Sequence, residues 1–203
     1  MKKYLIVLFL NFIFSFPLMA KTLFLGDSLT AVYEKEAKGV IDDKIKAEYV
    51  SGSGLINKNK KDWIAFVNGY DLREFDNFII SLGTNDFVPY NQNNSLEYYG
   101  RIFEVIAEIQ TQNPLATIIW ISPPHLKNPA HERYLMHTRN IIKRSTMLLK
   151  IHYLDVNQPH ILGTQWQSVI HNDIVRTDDG IHITRKGGER VVNEIVKILN
   201  KRG

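Results

Sequence analysis

The 203-residue chain contains no cysteine. That absence excludes disulfides, a thiolate nucleophile, cysteine-bound metal and a lipidated cysteine, so the fold must rest on its apolar core. An excess of one charge is missing too. The formal +4 includes Lys2 and Lys3; without them 23 basic residues stand among 21 acidic ones, with no aromatic-studded basic stripe. Nucleic acid is not an implied partner. A zinc-hydrolase signature is also absent, because His131-Glu132 lacks the second histidine of His-Glu-x-x-His. Metal and organic cofactors are not expected. There is no internal repeat, low-complexity tract or linker, which leaves residues 21–203 as one domain.

The only long apolar run lies at the start. Lys2 and Lys3 precede a stretch, residues 4–16, that is almost wholly apolar, and Ala20 suits the last position before a cleavage site. Residues 1–20 read as a signal peptide, and the chain as exported to the periplasm or beyond. An uncleaved anchor is the rival reading, but the run falls short of the ~20 residues a membrane span needs.

Beyond it, short apolar runs alternate with longer segments of helical period, the pattern of an α/β protein with a parallel sheet. Strands are expected over residues 22–25, 45–50, 78–81, 117–121 and 152–156, and helices over about 30–38, 61–69, 95–112, 130–150 and 184–200. In the third helix Tyr99, Ile102, Phe103, Ile106 and Ile109 form the candidate buried stripe. Thr184 is the expected N-cap of the last helix, with Val191, Val192, Ile195 and Ile198 facing inward. Residues 157–178 are the least regular stretch and hold Trp166.

Four motifs stand at strand ends or before the last helix. Gly26-Asp27-Ser28-Leu29 follows the first strand, where an α/β sheet binds ligands; its plain alternative is a capping turn. Val50-Ser51-Gly52-Ser53-Gly54-Leu55 follows the second, and its glycines let backbone N–H groups approach a ligand. In Ser81-Leu82-Gly83-Thr84-Asn85-Asp86, the Asn85 amide either donates to an oxyanion or satisfies a local Asx-turn. Finally, Asp178-Asp179-Gly180-Ile181-His182 lets a turn set a carboxylate on an imidazole.

Together these blocks resemble the SGNH, or GDSL, hydrolases. Gly26-Asp27-Ser28-Leu29 is similar to the family's first block, Gly83-Thr84-Asn85-Asp86 to its third, and Asp179-Gly180-Ile181-His182 to its fifth. The resemblance implies a three-layer α/β/α sandwich, SGNH/flavodoxin-like, around a parallel sheet of about five strands. It implies Ser28 as nucleophile, His182 as general base, Asp179 as its partner, and Ser28 N–H, Gly54 N–H and Asn85 as the oxyanion hole. Gly52 is a rival to Gly54 in the loosest block. The Gly-x-Ser-x-Gly elbow of larger α/β-hydrolases is absent.

The serine-glycine run followed by Asp62-Trp63 resembles a bacterial envelope-associated branch. That suggests an O-acetylesterase acting on peptidoglycan or another acetylated surface glycan. Trp63, Thr84 and Trp166 are candidate substrate contacts, and Phe87 and Tyr90 are further candidates to stack on sugar rings. The alternatives are an O-acetyltransferase with a membrane partner supplying acetyl, a thioesterase or lysophospholipase, and a non-catalytic glycan-binding module. Oligomeric state has no sequence signal.

Overall fold

The computed structural model describes residues 20–41 and 44–202. The targeting segment, apart from Ala20, lies outside them. β1 (Lys21–Gly26) leads to α1 (Ser28–Ala37), β2 (Lys44–Tyr49), α2 (Trp63–Gly69) and β3 (Asn77–Ser81). There follow α3 (Gln92–Gln112), β4 (Thr117–Ile121), α4 (Pro129–Leu148) and β5 (His152–Leu154). A short antiparallel hairpin, β6 (Val169–Ile170) with β7 (Asp173–Ile174), precedes α5 (Arg185–Leu199).

The five main strands form one parallel sheet in the order β2-β1-β3-β4-β5. Alternation along each strand builds two cores. Leu23, Leu25, Phe78, Ile80, Ile118 and Trp120 face one way, toward α2, α3 and α4. Phe24, Ile79, Ile119 and Ile121 face the other, toward α1 and α5. This is the three-layer α/β/α sandwich. Chain order reverses between β1 and β3, and the crevice beyond their C-terminal ends is the topological switch point where such sheets bind ligands.

Several elements differ from the sequence expectation. α1 begins at Ser28 rather than residue 30, because Asp27 caps it by accepting the Leu29 N–H. On α3 the buried stripe is Tyr98, Ile102, Val105, Ile106 and Ile109, while Phe103 is exposed and Tyr99 half-buried. Both stripes have helical spacing; Tyr98 is drawn inward because its hydroxyl donates to buried Asp86 at 2.9 Å. β5 ends at Leu154, two residues early. The least regular stretch, 157–178, contains a hairpin, β6–β7, that the sequence pattern did not anticipate. His171 and Asn172 at its tip both have positive φ, as the preferred two-residue hairpin turn requires.

Candidate active site

The β1–α1 junction is set by close backbone approach. A Cβ on Gly26 would lie 2.1 Å from the Ser81 carbonyl oxygen, so only glycine lets β1 pass β3 here. Asp27 N–H donates to that same carbonyl at 3.1 Å. The Asp27 side chain then caps α1, which makes Ser28 the first helical residue. Its N–H is one of the donors that a helix leaves without an internal acceptor, at the positive end of the helix dipole.

His182 comes from the turn before α5. Gly180 adopts φ +77° there, and a side chain at that position would strike Lys127. The turn folds the Asp179 carboxylate back on its own backbone: Oδ1 accepts the N–H of Ile181 at 2.8 Å and of His182 at 2.9 Å, plus the Thr177 hydroxyl at 2.7 Å. Oδ2 meets His182 Nδ1 at 2.7 Å. The desolvation of Asp179 opposes ionisation, but these backbone and side-chain donors outweigh it and hold the carboxyl well below the usual carboxylate range. An ionised Asp179 fixes the proton on Nδ1 and turns the Nε2 lone pair outward. Ser28 Oγ lies 2.8 Å from that nitrogen. Ser28, His182 and Asp179 therefore form one unbroken hydrogen-bonded line.

The β3–α3 loop brings Asn85 beside them. Its Nδ2 donates to Ser53 O at 2.9 Å and approaches Asp27 Oδ2 at 3.4 Å. Both partners lie far away in sequence, so the Asn85 amide reaches across the site to other loops rather than to its own turn. The second contact exceeds a normal N–H···O distance. That hydrogen is only weakly engaged.

Asp86 organises the loop after β2. Its buried carboxylate accepts Leu55 N–H at 2.9 Å, Ile56 N–H at 3.0 Å and the Tyr98 hydroxyl. A Cβ on Gly54 would fall 2.2 Å from Asp86 Oδ1, so this loop fits its support only with glycine there. Gly52 sits at positive φ with only Lys60 near its Cβ position, away from this support.

Two candidate substrate contacts require correction. Trp63 is buried in the core, where its indole N–H donates to Ser53 Oγ at 3.1 Å; it props the loop rather than facing a sugar. Thr84 is buried and hydrogen-bonds the Asp27 carboxylate. Trp166 is half-buried, with Lys127 Nζ 4.9 Å from its ring centroid. Phe87 and Tyr90 are exposed, and their rings lie against His131 and His137.

The structure also assigns work to residues that sequence patterns left unassigned. Burial drives the Asp27 carboxyl up to about 7, reinforced by the nearby Asp86 charge and opposed by Leu29 N–H and Thr84. Arg176 is buried behind the histidine turn and donates to Ile181 O at 2.7 Å and His182 O at 3.2 Å. Asp27 and Asp86 stood inside recognisable motifs, but nothing in a sequence says which carboxylate will be buried. Arg176 had no signal.

A parallel α/β/α sheet of this order, with a serine–histidine–aspartate line at its switch point, has the fold of the GDSL/SGNH hydrolases. The chain belongs to the family described as "Protein of unknown function (DUF459)", which matches residues 21–198. No curated protein matches it. Among solved structures it is similar to a protein from Lactobacillus plantarum, with 15% identity, TM-score 0.68, and coverage of 91% of this chain and 98% of that one. It is also similar to Est24, a carbohydrate acetylesterase from Sinorhizobium meliloti, with 16% identity, TM-score 0.61 and coverage of 91% and 100%. A peptidoglycan O-acetylesterase shares 19% identity at TM-score 0.57, over 79% of this chain and 47% of its own.

Proposed function

We propose that this protein is an exported serine ester hydrolase that removes O-acetyl groups from an envelope glycan. The observation that carries the chemistry is the line Ser28 Oγ–His182 Nε2–Nδ1–Asp179 Oδ2, with contacts of 2.8 and 2.7 Å. Ser28 Oγ attacks the ester carbonyl while His182 Nε2 takes the hydroxyl proton, giving a tetrahedral oxyanion. Ser28 N–H, Gly54 N–H and Asn85 Nδ2 are its donors. Collapse breaks the C–O bond to the sugar, and His182 gives its proton to the departing alcohol. Water then attacks acyl-Ser28 by the same route, releasing acetate and restoring the serine.

Two observations favour a polymer-borne ester. The Asp179 and His182 side chains are 49% and 39% exposed, so the reacting line lies open at the surface. A long acyl chain would need an enclosed apolar tunnel, whereas an acetyl group on a bulky glycan needs an open approach. The similarity to a carbohydrate acetylesterase and a peptidoglycan O-acetylesterase supports the same substrate class. Export rests on residues 1–20, and mass spectrometry of the secreted protein should find Lys21 as its first residue.

The test is hydrolysis of p-nitrophenyl acetate and of O-acetylated glycan by residues 21–203. Wild type should release acetate from both, and Ser28→Ala should release it from neither. Full activity in Ser28→Ala would sink the proposal.

A further inference from the structure

Between α4 and the edge strand β5 lies a cavity of about 240 Å³ that the ester chemistry does not use. Its wall includes His125, Arg139, Asn140, Lys143, Tyr153 and Asp155. Arg139, Asn140 and Lys143 share one face of α4 at helical spacing, while Tyr153 and Asp155 stand two apart at the end of β5.

The β4–α4 loop ties this cavity to the proposed catalytic turn. Lys127 N–H donates to Gly180 O at 3.0 Å, between Asp179 and His182 in the chain. His125 is two residues earlier, at most about 8 Å of chain away. Strand order gives a compatible scale. β1, which leads into Ser28, and β5 are three strand spacings apart, about 14 Å. An oligosaccharide spans that separation; a single acetylated sugar does not.

Two features mark the wall as built for a ligand. The first is the fixing of His125 at both ends. Asn157 Oδ1 accepts its backbone N–H at 2.9 Å, and Glu132 Oε1 meets its ring Nδ1 at 2.7 Å. Glu132 is held in turn by Leu126 N–H at 2.8 Å and by the buried Arg139 guanidinium. Burial alone would raise the Glu132 carboxyl, but His125, Arg139 and Leu126 overcome it and bring it to about 2. The carboxylate stays ionised, and with Arg139 Nη2 3.2 Å from the same Nδ1 it holds that edge of the ring, which leaves Nε2 as the edge without a protein partner among the described residues. A buried ion pair adds little stability compared with apolar packing, so what this network contributes is the orientation of His125.

The second feature is the mixture of groups left to serve a ligand. The Asn140 and Lys143 side chains make no hydrogen bond or ion pair among the described residues. Asp155 Oδ1 accepts Asn157 N–H at 3.0 Å and lies 3.4 Å from Ser122 Oγ, so both described contacts fall on one oxygen of this lining carboxylate. An anionic ligand would meet Asp155 and a cationic one Lys143. Hydroxyl groups both donate and accept, and therefore satisfy His125 Nε2, the Asn140 amide, Lys143 and Asp155 together. Tyr153 and Met136 supply the apolar surface that the face of a sugar ring requires. The volume lies below the ~300–1,000 Å³ of drug-sized sites, which suits one ring rather than a chain.

We propose that this cavity is a subsite for one sugar residue of the glycan, holding the polymer while an ester farther along it reaches Ser28. The inference rests on the ester-hydrolase reading above, and its test can be separated from it. Ser28→Ala protein is titrated calorimetrically with an O-acetylated chito-oligosaccharide. Asn140→Ala/Lys143→Ala is then added in the same background; both positions are exposed on α4, and Lys143→Ala alone serves as the milder variant. Saturable binding that weakens tenfold or more in the double variant is the expected result, with a smaller loss in the single one. No binding, or the same Kd in both variants, would overturn the subsite. Wild-type turnover of p-nitrophenyl acetate reports independently on the ester chemistry: if that fails while oligosaccharide binding persists, the reaction is misassigned and the subsite stands.

Discussion

At the scale of single residues, each member of the proposed site has a separable role. Asn85→Ala removes one oxyanion donor and should lower kcat by about 10²–10³ with little change in KM, in steady-state assays on p-nitrophenyl acetate. Asp179→Asn keeps the shape of the turn but permits the wrong imidazole tautomer; a loss of about 10⁴ in kcat is expected in the same assay. Asp27 makes a prediction about stability instead. Burial pushes its folded-state carboxyl up to about 7, from the ordinary 3.8. The unfolded chain therefore loses this proton first, and the Asp27 contribution to stability falls as pH rises from about 4 to about 7, then levels off. Full expression of that shift is on the order of 4 kcal/mol. Asp27→Asn should flatten this part of the pH dependence of urea unfolding, and an unchanged wild-type slope would contradict the assignment.

Ser28, Asn85, Asp179 and His182 were legible in the sequence because their spacing relative to strand ends carries the pattern. Trp63 and Thr84 were misread for the opposite reason. Indole and hydroxyl groups serve a core or a ligand equally well, and only three-dimensional partners decide between them. Here those partners are Ser53 and Asp27.

At the scale of elements, the site depends on loops being held by groups distant in sequence. Asp86 binds the loop after β2 through Leu55 N–H and Ile56 N–H while also accepting the Tyr98 hydroxyl of α3. Asp86→Ala leaves these donors without an acceptor. At ~1–3 kcal/mol for each buried unsatisfied group, a loss of about 3 kcal/mol is expected in chemical denaturation, together with a lower kcat as Gly54 loses its support. Strands and helices were largely readable from periodicity, yet α3 presented two acceptable stripes and tertiary hydrogen bonding chose between them. The β6–β7 hairpin escaped detection because its turn is His171-Asn172 rather than the Asn-Gly pair that normally announces one.

At the scale of the whole molecule, the alternation of apolar runs with helical segments announced a parallel α/β sheet, and the family resemblance implied its two helical layers, but neither gave the order of the strands. The reversal between β1 and β3 is what brings Ser28 and Asn85 to one crevice. Trp120 connects the sheet to that crevice: it is fully buried, and its indole N–H donates to Leu82 O at 3.0 Å, just before Gly83-Thr84-Asn85. Trp120→Ala should cost about 3–5 kcal/mol, read as a lower denaturation midpoint. In the proposed function this architecture makes Ser28 a nucleophile. The most direct test is reaction with a fluorophosphonate followed by intact-mass and peptide mass spectrometry. A single adduct on Ser28 is expected, absent in Ser28→Ala and strongly slowed in His182→Ala. An unlabelled Ser28, or equal labelling in Ser28→Ala, would contradict it.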